Sequence, residues 1–250
     1  SWRRLAPFVP KGVPIVSVAK GIETRSLLRP TQIIADVLGG KPSISAGPQC
    51  DWPLVVLSGP NIAAEIARYL PATAVVATDD AALAQRVQAT MSTQWFRVYT
   101  NNDPVGVELA GAMKNVIALA AGIVDGLGAG SNAKAALVAR GLVEITRLGV
   151  ALGACEATFG GLAGLGDLIT TCISPEGRNR RVGEMMGKGR KLNDILGEMA
   201  SVAEGVPTTK AVIELARRHN VEMPITQAVH AVLFEDKDVL EALSDLMTRE

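Results

Sequence analysis

The sequence predicts an α/β domain with a parallel sheet, followed by an all-α domain. Short β-rich runs alternate with helical stretches over the first hundred residues, which is typical of strands joined by helices. From Val105 onward the β-rich runs disappear, and helical periodicity continues almost to the C-terminus. With 250 residues, 48% of them hydrophobic, the chain is long enough for two domains. We place these domains at residues 1–103 and 104–250.

Four runs predict the strands of the sheet. Residues 13–20, "VPIVSVAK", and 53–59, "PLVVLSG", are almost continuously apolar, as in strands that are covered on both faces. "TAVVAT" at 73–78 and "WFRVYT" at 95–100 add two more. Between these runs, helices are predicted over residues 61–70 and 79–91, the second capped by Thr78, Asp79 or Asp80.

The second domain is predicted to begin with a long helix. Pro104 suits its first turn, and "GLGAGS" at 126–131 interrupts the helical pattern. A further helix is predicted over residues 133–153. Ser174, which precedes a proline, is a plausible start for another helix.

Charge and composition exclude several functional classes. Twenty-five acidic and twenty-five basic residues leave no basic excess, which argues against nucleic-acid binding. Polar residues and glycines interrupt the apolar stretches short of the roughly 18 residues that span a membrane, so we expect a soluble protein. Three cysteines without a CxxC pair indicate a reducing compartment and no zinc site. His219 and His230 lack a second ligand at metal-binding spacing, so we expect surface positions and no metal.

Lys114 interrupts a run that otherwise reads as a buried helix, residues 108–126. Its helical neighbours include Ala110, Gly111 and Ala118, which are small, so the lysine faces a hollow that a ligand can enter. Burial would lower its pKa and suit it to proton transfer at a carbonyl oxygen. The alternative, a lysine that reaches solvent or pairs with an acid such as Asp167, stays open from the residues alone.

Two further clusters are candidates for ligand binding. Arg178 and Asn179 would lie in the first turn of a helix, where free N–H groups favour an anion and an arginine can bind a phosphate. Asp167 and Thr171 lie one helical turn apart and could bind hydroxyls or orient a lysine. The alternative for Arg178 and Asn179 is a solvated basic helix face. The alternative for Asp167 is an ordinary helix cap.

Loops that follow strands supply the remaining candidates. Lys20 and Gly59 each follow a predicted strand, at the edge where open α/β sheets bind ligands.

No GxGxxG motif is present. We interpret the glycines at 126–130 and 160–167 as helix ends and close helix packing. If the chain has a dinucleotide site, that site lacks its first βαβ unit. We therefore expect the chain to begin within a domain. The sheet would then have an exposed edge that is prone to aggregation.

Several motifs together resemble the NAD(P)-dependent glycerol-3-phosphate dehydrogenase family. The likeness keeps motif order from about residue 13 to 230. Its motifs are "VSVAKGIE", "LSGPNIAAEIA", "VELAGAMKNVIALAAGIVDGLGAGSNAKAALVARGLVEI", "TFGGLAGLGDLITTC", "GRNRRVG" and "AEGVPTTKAV". The resemblance implies a partial Rossmann-like domain, a helical substrate domain, NAD or NADP as cofactor, and interconversion of dihydroxyacetone phosphate and sn-glycerol 3-phosphate for glycerolipid synthesis. This activity is that of the full-length protein.

The resemblance also implies roles for individual residues. Lys114 corresponds to the general acid/base. The implied substrate residues are Lys20, Gly59, Asn61, Asn115, Asp167, Thr171, Arg178 and Asn179. The implied cofactor residues are Lys20, Ala63, Arg178, Val202 and Glu204. Asn61 departs from the family pattern, since many relatives carry Ser or Thr at that position.

Two rival functions stay open at this point. The chain could be a related two-domain dehydrogenase that acts on a hydroxy acid or an acyl thioester, which the Arg178 and Asn179 cluster disfavours. It could also be a catalytically inactive helical scaffold. We expect a homodimer in the cytoplasm, or in a plastid if a targeting peptide precedes residue 1. The choice between NAD and NADP is left open.

Overall fold

The computed structural model describes residues 2–41, 50–199 and 202–249. Within these ranges, four strands form one sheet in the order β1-β2-β3-β4. The strands are β1 (Ile15–Ser17), β2 (Leu54–Ser58), β3 (Ala72–Ala77) and β4 (Phe96–Asn101). Each lies inside its predicted run or within one residue of it, because β-branched residues concentrate in these runs.

Four short helices accompany the strands, and a 3₁₀ turn at Ala6–Phe8 follows the first of them. They are α1 (Trp2–Leu5), α2 (Pro30–Val37), α3 (Ala63–Ile66) and α4 (Ala81–Met91). The prediction of α4 is confirmed, and the Asp80 carboxylate caps it by accepting a hydrogen bond from the Leu83 N–H at 3.0 Å. The predicted helix 61–70 is too long, because Tyr69 takes a left-handed backbone conformation, with φ of 60°, that a helix cannot continue. The sequence patterns did not predict α2.

The strand directions confirm the predicted fold class with one difference. β1 is parallel to β2, and β3 is parallel to β4, but β2 and β3 are antiparallel. The expectation of a wholly parallel sheet is therefore wrong for this central pair. A parallel connection needs a crossover element, whereas the segment between β2 and β3 contains only the single turn of α3.

Helices alone follow the sheet in the described chain. They are α5 (Pro104–Gly126), α6 (Gly130–Ala151), α7 (Glu156–Gly160), α8 (Asp167–Ile173), α9 (Arg178–Gly187), α10 (Leu192–Glu198), α11 (Gly205–Arg218), α12 (Pro224–Phe234) and α13 (Val239–Thr248), with a π-helical turn at Leu162–Gly166 before α8. The change from strands to helices falls where the sequence predicts it. The division into two domains stays a prediction.

The ninth helix begins later than the sequence suggests. Ser174 does not start it, because the Ser174 carbonyl accepts a hydrogen bond from the Gly177 N–H at 3.2 Å and closes a turn. The helix starts at Arg178 instead. Arg178 and Asn179 still lie in its first turn, as predicted.

The long helix α5 is the core of the molecule. Every residue from Val105 to Val124 is buried, including Glu108 and Lys114. Among the described helices, α5 alone is long and apolar enough to cross a membrane, but 94% of that stretch is buried inside the protein. Glu108, Lys114 and Asn115 interrupt its apolar residues, as the sequence predicts. Its burial identifies it as a core helix.

Glycines bring α5 and α9 into backbone contact. A Cβ atom added to Gly122 would lie 1.9 Å from the Arg180 carbonyl oxygen, and one added to Gly183 would lie 2.0 Å from the Leu119 carbonyl oxygen. No side chain fits at either position. The first turn of α9 is thereby held close to the middle of α5.

We expect Gly183→Ala to lower the free energy of unfolding by about 2 to 3 kcal/mol, because the added methyl group would overlap the rigid backbone of α5. Urea denaturation measures this change. Gly197→Ala is the matched control: it lies in α10, and an added Cβ has no heavy atom within 4 Å. That variant should be slightly stabilised, since alanine favours a helix over glycine. Equal unfolding midpoints for the two variants would rule out the close α5–α9 contact.

Candidate active site

Three charged side chains from three elements meet beside α5. Lys114 lies on α5, Lys20 lies in the loop after β1, and Asp167 is the first residue of α8. The Asp167 Oδ2 atom accepts a hydrogen bond from Lys20 Nζ at 2.9 Å, and Oδ1 accepts one from Lys114 Nζ. One carboxylate therefore binds both amines. The pairing of Lys114 with Asp167, which the sequence left open as an alternative, is observed, and it is compatible with a catalytic role for the amine.

Thr171 holds the same lysine from one turn farther along α8. Its hydroxyl accepts a hydrogen bond from Lys114 Nζ at 2.6 Å and donates one to the Asp167 carbonyl oxygen at 2.6 Å. A lysine amine has three N–H donors. Within the described residues, Asp167 and Thr171 engage two of them. The third N–H of Lys114 remains for a ligand.

Burial changes the acidity of this amine. The side chains of Lys114 and Asp167 are 6% and 3% exposed, whereas that of Lys20 is 19% exposed. Desolvation lowers the pKa of Lys114 from 10.5 to about 8; the Asp167 carboxylate opposes the shift, and the charge of Lys20 adds to it. A lysine with this pKa can give and take a proton close to neutral pH.

The two loops beside the cluster depend on glycine. Gly21 and Gly59 have φ of 130° and 142°, which other residues rarely adopt. A Cβ on Gly59 would lie 3.0 Å from the Ala74 Cα atom, so this loop lies flat against β3. A Cβ on Gly166 would be 3.6 Å from the ring of Pro60. The loop that carries Gly59 and Asn61 thus borders the turn that leads into Asp167.

Sequence reasoning missed a second buried ion pair, which holds the segment after Lys20. Arg29 Nη1 donates a hydrogen bond to Glu108 Oε2 at 2.6 Å. Glu108 also accepts hydrogen bonds from the Thr31 N–H at 2.8 Å and the Thr31 hydroxyl at 2.6 Å, at the start of α2. Burial raises the pKa of Glu108, and Arg29 and Thr31 oppose that rise. The sequence feature that could have predicted this ion pair is Glu108, a second charged residue in the apolar helix, six residues before Lys114.

The first turn of α9 lies next to the cluster. A Cβ on Gly177 would be 3.1 Å from the Thr171 carbonyl oxygen, and a Cβ on Gly205 would be 2.6 Å from that of Asn115. Asn179 Oδ1 accepts a hydrogen bond from the Gly205 N–H at 2.9 Å. The helices α5, α8, α9 and α11 therefore converge around Lys114.

These contacts bear on the predicted substrate residues. Arg178 is exposed, and it makes no hydrogen bond or ion pair within the described part of the chain. The side-chain oxygen of Asn179 is already used at the start of α11, which leaves its NH₂ group for a ligand. The Asn115 NH₂ group makes only a long contact, 3.5 Å, with the Gly111 carbonyl. The roles of all three residues stay predictions.

The remaining predicted site residues are more exposed than the lysine cluster. Asn61 and Glu204 are half-buried, and Glu204 directly precedes the Gly205 contact described above. Ala63 and Val202 are exposed, and Val202 is 68% exposed. No contact among the described residues ties Ala63 or Val202 to the lysine cluster, so their predicted cofactor roles stay predictions.

Ser58, at the end of β2, is a second residue that sequence reasoning missed. Its side chain is buried, and its Oγ atom is the one buried side-chain nitrogen or oxygen in the described chain that has no hydrogen-bond partner. The signal was a hydroxyl at the end of an apolar strand, just before a candidate binding loop.

Other titratable groups lie outside the site or are inert. Among the described residues, no group of three His, Cys, Asp or Glu side chains could hold a metal ion. His219 is exposed as predicted, whereas His230 is half-buried and bonds to Glu235 at 2.9 Å. Burial raises the pKa of the Cys172 thiol to about 12, so this thiol is not a nucleophile at neutral pH.

Comparison with known proteins links this arrangement to one family. The pattern described as "NAD-dependent glycerol-3-phosphate dehydrogenase C-terminus" matches residues 103–244, and the corresponding "N-terminus" pattern matches residues 1–84. A glycerol-3-phosphate dehydrogenase [NAD(P)+] of Salinibacter ruber is 51% identical over 246 residues, which cover 98% of this chain and 69% of the relative. One from Geobacter sulfurreducens is 51% identical over 247 residues, covering 99% and 71%.

Solved structures agree with these sequence matches. A glycerol-3-phosphate dehydrogenase from Coxiella burnetii superposes with a TM-score of 0.90 at 38% identity, over 99% of this chain and 73% of that one. The yeast enzyme of the same name superposes with a TM-score of 0.83 at 28% identity, over 99% and 71%. The chain thus spans about seven-tenths of the length of the proteins that it matches.

The lowered pKa of Lys114 predicts a pH-dependent stability. Between pH 8 and 10.5 the unfolded chain holds a proton on this amine that the folded chain has lost, so the free energy of unfolding should rise with pH across this window. From pH 7.5 to 9.5 the expected gain is roughly 2 kcal/mol. Urea denaturation at both pH values, with Lys114→Met as the control that lacks the amine, isolates the effect. Identical pH dependence in both proteins would contradict the shifted pKa.

Proposed function

The chain belongs to the NAD-dependent glycerol-3-phosphate dehydrogenase family, and on this premise we propose that it interconverts dihydroxyacetone phosphate and sn-glycerol 3-phosphate, with NAD or NADP as cofactor. The product would serve as a glycerolipid precursor. One observation carries the proposal within the site: the buried Lys114 amine has a pKa of about 8 and one N–H that Asp167 and Thr171 leave free.

The residues present have side chains of the kinds that bind a nicotinamide cofactor. Lys20 and Arg178 offer positive charge, Glu204 offers a hydrogen-bond acceptor, and the exposed Val202 and Ala63 offer apolar surface for a planar ring. We propose that these five residues hold the cofactor. When bound, it supplies the hydride to carbon 2 of the ketone or accepts it from the alcohol.

Lys114 would move the proton at the C2 oxygen. In the direction of reduction, its ammonium group donates a proton to the oxygen as negative charge develops there. In the direction of oxidation, the neutral amine takes the proton from the C2 hydroxyl. The positive charge of Lys20 stabilises the developing alkoxide, because the charge is already in place and largely shielded from water. Asp167 holds both lysines and so fixes their distance from the substrate.

Arg178 and the start of α9 would bind the phosphate. The first N–H groups of a helix have no partner inside the helix, and the helix dipole favours an anion there. An arginine in the same turn adds a charged fork that can bind two phosphate oxygens. Arg178 is exposed beside the Thr171 contact, which places this turn next to Lys114. The phosphate and the C2 oxygen would then occupy neighbouring positions.

The rival functions explain this geometry less well. A hydroxy acid or an acyl thioester offers no phosphate next to the reacting carbon for Arg178 to bind. An inactive scaffold has no use for three charges buried together, which cost free energy unless they are needed.

Assembly and compartment are also proposals. Two exposed apolar residues seven positions apart on α6, Val143 and Val150, support the expected homodimer. We propose the cytoplasm as its location, in keeping with the bacterial relatives, and keep a plastid as the alternative.

We expect Lys114→Ala to lower kcat by roughly a hundred- to ten-thousandfold in the full-length protein, because proton transfer at the C2 oxygen loses its donor. Substrate binding should persist in part. Initial rates with dihydroxyacetone phosphate measure the first effect, and the thermal shift caused by sn-glycerol 3-phosphate measures the second. Near-normal turnover in this variant would refute the proposed role.

We expect Arg178→Ala to raise the KM for dihydroxyacetone phosphate by roughly ten- to a hundredfold, with a smaller effect on kcat, since a charged hydrogen bond to phosphate is worth about 1.5 to 3 kcal/mol. Steady-state kinetics measure both constants. Arg181→Ala is the matched control, because Arg181 is also exposed on α9 but lies beyond its first three residues. An equal effect of the two substitutions on KM would count against a phosphate site at Arg178.

A further inference from the structure

Ser58 lies on the side of β2 that faces α5. Alternate residues of a strand face the same side, so Ser58 shares its side with Val56. Val56 belongs to the same buried cluster as Val107 of α5. Gly111 lies one turn beyond Val107, and a Cβ added to it would be 2.9 Å from Ser58 Oγ. The Ser58 hydroxyl therefore lies against α5 at Gly111, one turn before Lys114.

The hydroxyl also borders the lysine cluster. The same added Cβ on Gly111 would be 3.7 Å from the Lys20 side chain. Ser58 Oγ therefore lies between β2 and α5, beside the stem of Lys20, whose amine binds Asp167 together with that of Lys114. Gly111 leaves the space that the hydroxyl occupies.

This hydroxyl has no hydrogen-bond partner among the residues that the structure describes. Ser58 is 3% exposed, so water does not replace the missing hydrogen bond freely. A buried polar group that lacks a partner lowers the free energy of unfolding. Alanine would fill the same space without that loss. A ligand that enters the site would complete the missing hydrogen bond.

The order of polar groups along α5 indicates which part of the ligand the Ser58 hydroxyl would contact. Ser58 lies at Gly111, the proton donor is Lys114, and the first turn of α9 lies near Asn115 through the contacts of Gly205. Gly111 and Asn115 are about 6 Å apart along the helix axis. A three-carbon phosphate has the same order of polar groups over a similar length: terminal hydroxyl, C2 oxygen, phosphate.

We propose that Ser58 binds the terminal, non-phosphorylated hydroxyl of the substrate and makes the site selective for three-carbon phosphates that carry it. This inference rests on the proposed function, because the positions of the C2 oxygen and the phosphate come from it. It adds a binding residue that neither the sequence motifs nor the resemblance indicated.

The test compares two ligands that differ by this hydroxyl, sn-glycerol 3-phosphate and propane-1,2-diol 1-phosphate. Their dissociation constants are measured by calorimetry with the wild-type protein and Ser58→Ala. We expect Ser58→Ala to weaken binding of sn-glycerol 3-phosphate about tenfold, as one hydrogen bond allows, and to leave binding of the propanediol phosphate unchanged. The ratio of kcat/KM for dihydroxyacetone phosphate and hydroxyacetone phosphate should change by the same factor.

Controls separate this role from a structural one. Ser58→Ala should melt at the same temperature as the wild type or higher, because it removes an unpaired buried hydroxyl. Ser58→Cys, a poorer hydrogen-bond donor of similar shape, should show the same selective loss. Ser92→Ala, at the end of α4, should change neither dissociation constant.

Each other outcome has a definite meaning. An equal loss for both ligands, no loss for either, or a less stable Ser58→Ala protein would overturn the inference while the proposed function stands. A wild-type protein that binds neither phosphate would overturn the proposed function itself, and with it this inference.

Discussion

The site depends on one buried carboxylate that binds two amines. Asp167 receives Lys20 from the loop after β1 and Lys114 from the core helix, and its own helix also carries Thr171. Without this carboxylate, two positive charges would face each other in a place with little access to water, which is strongly unfavourable. The same contact joins the sheet to the helical part of the chain. The Asp167 carboxylate therefore serves the chemistry of the site and also links the sheet to the helices.

Lys114 can exchange a proton near neutral pH because burying its charged amine costs free energy. Desolvation brings its pKa to about 8, and Asp167 keeps the shift from going further. A solvent-exposed lysine would stay protonated and could not take a proton from an alcohol at neutral pH. The small residue Gly111, one turn before Lys114, leaves space on α5 for Ser58 and the stem of Lys20. Burial, acidity and access to a ligand thus have one structural origin.

Close helix packing then places the anion site beside the amine. Gly122 and Gly183 let α5 and α9 touch through their backbones, so the first turn of α9 lies within reach of Lys114. Glu108 acts at the other end of the same helix, where it binds Arg29 and Thr31 and holds the segment that follows Lys20. Buried polar contacts of α5 therefore position both sides of the site, and apolar packing fills the space between them.

Features that depend on near neighbours in the chain could be predicted from the sequence. Periodicity identified the four strands and α5, and the four-residue spacing of Asp167 and Thr171 placed them on one helix face, as observed. Lys114 stood out because an amine in an apolar helix needs a partner. The folded chain was needed to show that one carboxylate binds two lysines, which are 53 and 147 positions away from it. It also decided the antiparallel β2–β3 pair and the unpaired Ser58 hydroxyl. Local patterns report the preference of each segment, whereas these contacts arise only when distant segments compete for the same space and the same hydrogen bonds.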